Sequence, residues 1–290
     1  MEYPTWSEKA ASAVNYLLLT LLALCCLLPF IYVLSVSFTS MGEVAQRGIV
    51  LIPRHVTLAA YRELLVGNQI INAYKITIFV TVVGTLLNLI FTLTTAYPLA
   101  RKQLPGRNIF LLYILFTMLF SGGMIPQFLL VKSLGLLDTV WALIVPGLVS
   151  GFLLLVMKGF IEQLPEEIFE SARIDGAGEM KLLFSILLPL SMPIIATLGL
   201  FYAVGHWNSF FDGLMYINDP NKYPLQVVLR FILLGATDVT SEFIPEAEDK
   251  VNPLSIQMAA VIVTTLPIML VYPFIQKHFT KGVLLGSVKG

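Results

Sequence analysis

Residues 76–100 read ITIFVTVVGTLLNLIFTLTTAYPLA, a stretch that contains no Asp, Glu, Lys or Arg. An α-helix rises about 1.5 Å per residue, so roughly 20 apolar residues are needed to cross a hydrocarbon core about 30 Å thick. Backbone polar groups inside a bilayer must be satisfied within the segment, and a continuous helix achieves this. The stretch therefore predicts a membrane-spanning helix, and it decides the fold class.

Five more stretches have a similar length and also lack Asp, Glu, Lys and Arg: Ala13–Val36, Ile109–Val131, Thr139–Met157, Leu182–Gly205 and Ile256–Gln276. The whole chain of 290 residues is 57% hydrophobic and only 12% charged, whereas an average soluble domain is about half apolar and about a quarter charged. Basic and acidic residues number 18 each, so no overall charge favours nucleic acid. We predict an all-α integral membrane protein with six transmembrane helices.

The first apolar stretch is longer than the core of a cleavable signal peptide, and no small-x-small cleavage site follows it, so we expect a retained anchor. It contains the only two cysteines, Cys25 and Cys26. Neighbouring residues of a helix point to different faces, so this pair predicts no structural disulfide.

Basic residues in the short connections predict the orientation in the membrane. The connection after the second span carries Arg101, Lys102 and Arg107, whereas the next carries Lys132 alone. Short loops rich in Lys and Arg stay in the cytoplasm. The second and fourth connections are therefore expected inside, and an even number of spans places both termini there as well.

The third span is interrupted by the sequence SGGMIP at residues 121–126. Gly122 and Gly123 are flexible and Pro126 breaks helices, so backbone groups freed there must face protein or a water-filled cavity. One interpretation is a broken helix that lines a solute path. The other is a span that ends early, with residues 128–131 along the outer surface.

The connection between the fourth and fifth spans reads LPEEIFESARIDGAG at residues 164–178. Pro165 favours a helix start, acidic residues follow it, and Gly176 and Gly178 favour a stop. Ile168, Ala172 and Ala177 are apolar or small, while their neighbours are charged. The pattern predicts a short amphipathic helix with a compact face that could enter a groove on another protein.

The same segment resembles the cytoplasmic signature of ATP-binding-cassette (ABC) importer permeases: Glu-Ala-Ala, three residues, Gly, nine residues and Ile-x-Leu-Pro. This chain has Glu170-Ser171-Ala172, then Gly176, and ILLP at residues 186–189. Only Ser171 departs from that pattern. The motifs IDGA at 174–177, HWN at 206–208 and GSVKG at 286–290 resemble the carbohydrate-uptake branch, and SGGMIP and LGLLDT at 134–139 resemble its oligo- and polysaccharide sub-branch.

This resemblance implies the type I ABC importer permease fold, with an anchor helix and first external loop over 1–70, a permease core over 71–278 and a cytoplasmic tail over 279–290. It implies a multi-pass protein of a bacterial cytoplasmic membrane, surrounded by lipid. The expected partners are a second homologous permease, two ATP-binding subunits and an extracytoplasmic solute-binding protein. No cofactor is expected on this chain, since ATP and magnesium would bind to the ATPase subunits. The residues expected to couple to these subunits are Glu170, Ser171, Ala172, Asp175, Gly176 and Ala177.

Three other classes of membrane protein compete with a permease. A secondary transporter usually places ionisable residues within its spans, which the six stretches lack. A channel is disfavoured because no selectivity-filter motif is present. A membrane enzyme is disfavoured because no metal-ligand cluster or nucleophile–base spacing appears. No G-x-x-x-x-G-K-[ST] phosphate loop occurs either, so the energy is expected from a partner or from a gradient.

Candidate residues for the solute path lie in and beside the second, third and fifth spans: Asn88, Gly122, Gly123, Tyr202, Trp207 and Asn208. The two aromatic residues suit stacking on sugar rings, but aromatic side chains also form the interfacial belt of membrane proteins. Asn88 suits either a polar path or a hydrogen bond to a neighbouring helix. The sequence leaves both pairs of alternatives open, and it predicts no metal site.

Overall fold

The computed structural model describes residues 6–66, 68–235 and 252–287. Within these ranges the regular structure is helical, apart from one isolated antiparallel bridge between Thr39 and Val56. The α-helices are α1 (Trp6–Ser37), α2 (Met41–Arg47), α3 (Ala59–Val66), α4 (Gln69–Ala100), α5 (Arg107–Leu119), α6 (Met124–Ser133), α7 (Gly151–Ile161), α8 (Glu166–Ile174), α9 (Glu179–Lys181), α10 (Leu188–Leu190), α11 (Met192–Trp207), α12 (Phe210–Tyr216), α13 (Leu225–Leu234) and α14 (Pro253–Ser287).

Three helical segments of the described chain are each long and apolar enough to cross a membrane: Lys9–Ser37, Gln69–Ala100 and Pro253–Leu270. Three pairs of helical segments pass the same test only together: Arg107–Leu119 with Met124–Ser133, Val140–Gly147 with Gly151–Ile161, and Glu179–Leu190 with Met192–Trp207. If each pair counts as one span, the described chain has up to six spans, in agreement with the predicted number.

These three pairs bend by 116°, 50° and 80° in chain order, so the fourth and fifth spans are not the continuous helices that were expected. At the first bend the chain leaves helical geometry at Phe120, and Gly123 has a φ of 84° that favours glycine. The helix therefore breaks where the sequence placed Gly122, Gly123 and Pro126.

The other two bends follow prolines. In the fourth span, 3-10 turns at Val140–Leu143 and Val145–Gly147 replace the first part of the expected α-helix, with Pro146 in the second turn. In the fifth span, a π-helical turn at Leu182–Leu187 precedes Pro189, and a new helix starts at Met192. Proline lacks the N–H that would continue an α-helical ladder, which accounts for the positions of both interruptions.

The chain divides into two compact units. One comprises the described residues of 1–70 and 229–267. In it the Glu43 carboxylate accepts hydrogen bonds from the backbone N–H of Arg54 at 3.0 Å and from the Arg47 side chain at 2.7 Å. The Ser255 hydroxyl donates to the carbonyl of Thr39 at 3.0 Å. These hydrogen bonds connect the segment after α1 to itself and to the start of α14.

The other unit comprises the described residues of 71–228 and 268–290. Its main apolar cluster joins side chains of α4, α7, α8, the π-helical turn and α11, among them Leu93, Met157, Leu187 and Leu198. A smaller cluster contains Val80 of α4 and Ile144 between the two 3-10 turns. The two bent spans are therefore packed on α4 along much of its length.

Candidate functional site

Helix α8 has the predicted position and a sharp end. It begins after Pro165 and ends at Ile174. Beyond its end, the N–H of Gly176 donates to the carbonyl of Arg173 at 3.0 Å, and the N–H of Ala177 donates to the carbonyl of Ala172 at 2.9 Å. Gly176 has a φ of 77°, so the turn out of the helix uses a conformation that favours glycine.

One face of α8 is attached to the second unit through apolar contacts. Phe169 is buried in the main cluster, and Ala172 and Ala177 are half-buried against it. Ala172 and Ala177 of the predicted compact face thus contact the chain's own helices, whereas Ile168 is exposed. Small side chains at 172 and 177 allow this close approach.

The opposite face of α8 and the turn after it are exposed. Glu170, Ser171, Asp175 and Gly176 are all exposed. Ile174 is 86% exposed, which is unusual for a large apolar side chain at the end of a charged helix. The exposed surface therefore combines acidic groups with two apolar side chains, Ile168 and Ile174.

Ion pairs join the neighbouring segments beside α8. Arg101, just after α4, contacts both the hydroxyl of Tyr97 and the carboxylate of Glu179, and the Tyr97 hydroxyl donates to Glu179 at 2.9 Å. The Arg173 side chain lies 4.0 Å from Glu179. Such partly exposed pairs add little stability, but they fix the end of α8 relative to α4.

A buried polar centre lies near the middle of α4. The Asn88 amide donates to the carbonyls of Gly147 at 2.6 Å and Leu148 at 2.9 Å. Its oxygen then accepts from Nε2 of His206 at 2.6 Å, which requires the tautomer protonated at Nε2. Asn88 thus satisfies carbonyls at the break in the fourth span and joins them to α11.

A second buried link lies one turn along α4. The hydroxyls of Thr92 and Tyr202 are 2.8 Å apart, and the Tyr202 oxygen accepts from the N–H of Ser150 at 3.2 Å. Ser150 precedes α7, so this link also ends at the break in the fourth span. Of the two alternatives for Asn88, the structure supports a hydrogen bond between helices.

A cavity of about 330 Å³ lies beside these links. Its walls come from α6, the 3-10 turns of the fourth span, α11 and the start of α12. Lining residues include Gln127, Ser150, Phe201, Tyr202, His206, Ser209 and Asp212. Asp212 is half-buried, and burial raises the pKa of its carboxyl above the ordinary value.

The other predicted path residues are not gathered at this cavity. Gly122 and Gly123 are exposed at the bend between α5 and α6. Trp207 is buried, with its ring edge-on to Tyr74 at a centroid distance of 6.4 Å. The exposed Asn208 amide donates to the carbonyl of Val204 at 2.9 Å at the end of α11. Of the six candidates, only Tyr202 lines the cavity.

Comparison with known proteins identifies the family. Residues 5–285 match the binding-protein-dependent transport system inner membrane component family. The chain belongs to this family. It is therefore a membrane-embedded permease subunit of an ABC importer, a transport component and not an enzyme. Membership implies that it works with a partner permease, ATPase subunits and a binding protein.

Individual relatives support the same assignment. The chain is 50% identical over 265 residues to protein LplC of Bacillus subtilis (strain 168), covering 91% of this chain and 90% of that one. It is 45% identical over 276 residues to the polygalacturonan/rhamnogalacturonan transport system permease protein YtcP of the same strain, covering 95% and 96%.

A solved structure extends the match to three dimensions. A chain of a bacterial ABC transporter involved in the import of the acidic polysaccharide alginate superimposes with a TM-score of 0.87 at 31% identity. The match covers 96% of this permease and 100% of that chain. The predicted type I ABC importer permease fold is confirmed.

The sequence analysis did not single out three residues of this permease: Phe169, which is buried in the core, Ile174, which is exposed, and Asp212, which lines the cavity. The spacing of Phe169 and Ala172 at i and i+3 was a usable signal for the inward face of α8. Ile174 follows from the same helical register. Asp212 gave no signal, because a single acid beyond the end of a span is ordinary.

Among the residues that the structure describes, no group of three or more His, Cys, Asp or Glu side chains is arranged to hold a metal ion.

Proposed function

We propose that this permease forms half of the translocation path for an oligosaccharide or polysaccharide. An external solute-binding protein delivers the cargo, and a second, homologous permease supplies the other half of the path. The names of relatives support a carbohydrate: YtcP is a polygalacturonan/rhamnogalacturonan permease, and the solved relative belongs to an alginate importer. The chain itself binds no cofactor, since ATP and magnesium act on two partner ATPase subunits.

The proposed mechanism is supported by one observation: one face of α8 is packed on the core and the opposite face is exposed. Its inner face is fixed by Phe169 in the core, so a push on the helix is transmitted to α4, α7 and α11. Its outer face offers Glu170 and Ile174 to another protein. A helix anchored on one side and exposed on the other is suited to sit in a groove of an ATPase subunit.

The proposed orientation places α8 in the cytoplasm. Arg101 and Lys102 line a cavity together with Phe169 and Arg173 of α8, and Arg107 follows in the same connection. Basic residues in short connections favour the cytoplasmic side. Both termini then lie in the cytoplasm of a bacterium whose cytoplasmic membrane holds the protein. No nucleic acid takes part.

The test substitutes residues on the exposed side of α8 in the assembled transporter. Gly176→Val introduces a β-branched side chain at a φ of 77°, and Glu170→Lys reverses a charge at the proposed contact. We expect solute-stimulated ATP hydrolysis and transport to fall by about tenfold or more, because an unpaired charge in a desolvated contact costs several kcal/mol. Glu166→Gln, an exposed change at the start of α8, is the control and should keep nearly full activity.

Amounts of folded permease and of assembled complex are measured in parallel, since neither residue lies within a span. If both variants assemble normally and transport at the rate of the unchanged protein, α8 does not transmit the ATPase movement. Transport driven by an ion gradient in vesicles that contain this chain alone would instead support a secondary transporter.

A further inference from the structure

Glu179 lies where the turn after α8 meets the end of α4. It is the first residue of α9, which follows α8 after a short turn. Hydrogen bonds from the N–H groups of Gly176 and Ala177 back to carbonyls in the last turns of α8 close this connection. Because the turn is short and hydrogen-bonded, Glu179 should follow any displacement of α8.

The carboxylate of Glu179 has partners on both sides of this junction. The hydroxyl of Tyr97, in the last turn of α4, donates to it at 2.9 Å, and the guanidinium of Arg101 also contacts it. Arg101 lies over the Tyr97 ring, 4.3 Å from its centroid. From α8, the Arg173 side chain comes within 4.0 Å. One carboxylate thus joins the end of α4 to the end of α8.

This polar link and the apolar packing of α8 restrain the helix differently. The contact of Phe169 with the core is non-directional, so it resists a push on α8 but allows the helix to slide. Hydrogen bonds weaken steeply with distance and angle, so the bonds of Glu179 also resist separation and sliding. A transport cycle moves helices forward and back, and a link that resists separation lets α4 follow in both directions.

The exposure of the link separates it from the stability of the fold. The Glu179 side chain is 57% exposed and that of Arg101 is 29% exposed, and partly exposed pairs add little stability. Neither residue belongs to the outer face of α8, where Glu170 and Ile174 are proposed to meet the ATPase. Substitution of Glu179 should therefore leave both the folded permease and its ATPase contact in place.

We propose that Glu179 is a positioning residue that makes the cytoplasmic end of α4 follow α8 when the ATPase subunits close. The inference rests on the coupling role of α8 proposed above and adds the residue through which the movement reaches α4. From α4 the movement continues to the break in the fourth span, because Asn88 bonds to the carbonyls of Gly147 and Leu148.

The experiment measures distances between spin labels by pulsed EPR in the assembled transporter in nanodiscs, with its binding protein. Each sample is compared without nucleotide and after trapping with ATP and vanadate. Cys25 and Cys26 are replaced by serine, and labels are attached to cysteines at exposed positions. One pair joins Lys102, just after α4, to Asn221, and the other joins Glu166, at the start of α8, to Asn221. The common reference lies beyond the other end of the fifth span.

We expect both distances to change on trapping in the unchanged complex. In Glu179→Ala the distance from Glu166 should still change, since α8 still meets the ATPase. The change at Lys102 should fall by about half or more, because the energetic link between the two helices is removed. The melting temperature should stay close to that of the unchanged protein, which separates lost coupling from lost stability.

Charge exchange tests whether the pair itself matters. Arg101→Glu brings two carboxylates together and should reduce the change at Lys102 as Glu179→Ala does. The double variant Arg101→Glu with Glu179→Arg restores opposite charges and should recover most of that change. Arg173 lies 4.0 Å away and is partly exposed, so its repulsion of the new arginine is weak.

The matched control is Glu162→Gln. Its carboxylate forms ion pairs with Arg107 and Lys158, neither of which belongs to α8 or to the turn after it. The substitution removes an ion-paired charge near the same end of the second unit, and it should alter neither distance change.

Three results would each overturn the role of Glu179: a full change at Lys102 in Glu179→Ala, an equal loss in Glu162→Gln, or no recovery in the double variant. All three leave the proposed function intact. The coupling role of α8 fails separately, when the distance from Glu166 does not respond to ATP and vanadate in the unchanged complex.

Discussion

Two polar regions of the second unit, the exposed face of α8 and the buried centre at Asn88, are built in opposite ways. At α8 the polar side chains are exposed, and the attachment to the core relies on Phe169 with two small neighbours. At the centre, Asn88 is fully buried and makes three hydrogen bonds to α11 and to the broken fourth span.

The difference separates residues that hold the helices of this permease together from residues that we propose transmit the ATPase movement. A change at the buried centre must alter the fold, because each polar group there already has a partner within the chain. A change on the outer face of α8 leaves the chain's own contacts intact and acts only when another subunit is present. Stability of the permease and activity of the complex should therefore respond to different residues.

The largest effect on stability is expected for Gly84→Val. A Cβ at Gly84 would lie 2.5 Å from Nε2 of His206, and His206 cannot retreat without losing its hydrogen bond to Asn88. Overpacking of this kind costs about 1–3 kcal/mol or more. Thermal unfolding in detergent, followed by fluorescence-detected gel filtration, should show a clear loss of stability.

Gly159→Val is the matched control, because a Cβ at Gly159 meets nothing within 4 Å. Equal melting temperatures for the two variants would contradict the close packing of α4 and α11 at His206.

A smaller loss of stability is expected for Asn88→Leu. Leucine has a similar volume but leaves the carbonyls of Gly147 and Leu148 and the N–H of His206 without this partner. Hydrogen bonds between membrane helices contribute on average about 0.6 kcal/mol each, so we expect a total loss of about 1–2 kcal/mol. The measurement is the unfolding midpoint in detergent.

The control is Thr94→Val, since the exposed Thr94 hydroxyl bonds, within the described part of the chain, only to carbonyls of its own helix. A midpoint for Asn88→Leu as high as that of Thr94→Val would mean that the buried links are dispensable, and the contrast with α8 would disappear.

The smallest effect on the fold is expected for Ile174→Ser on the outer face of α8. Substitution of a side chain that is 86% exposed should change the unfolding free energy of the permease by less than about 0.5 kcal/mol. Affinity for the ATPase subunits should nevertheless fall, because a buried aliphatic contact would be lost. Co-purification of the subunits at graded detergent concentrations measures this.

The same substitution at Ile52, which is 77% exposed in the other unit, should affect neither property. Retention of the ATPase subunits by Ile174→Ser at the level of Ile52→Ser would remove Ile174 from the contact surface.

Several elements could be predicted from local sequence. The bend in the third span coincides with Gly122, Gly123 and Pro126, since the backbone preferences of these residues act within a few positions. The start and end of α8 follow from Pro165 and Gly176 for the same reason. The 116° bend is compatible with both interpretations of the third span, and its role in a solute path stays a prediction.

Other elements could not be predicted in the same way. Pro146 and Pro189 lie in the fourth and fifth spans, but the bends of 50° and 80° depend on what packs against each half. Trp207 and Tyr202 looked alike in sequence, yet one packs on Tyr74 and the other lines the cavity. The environment of an aromatic side chain depends on neighbours that are distant in the chain.

The sequence by itself determined the number of spans, the membrane environment and the position of α8, because each depends on the composition and backbone preferences of one continuous stretch. Only the tertiary structure decided that Asn88 bonds to a carbonyl 59 residues away and to a histidine 118 residues away. It also decided that Asp212 lines a cavity without an ion-pair partner among the described residues. Such pairings arise when helices pack and bring unsatisfied polar groups together, and no local pattern specifies which helices will meet.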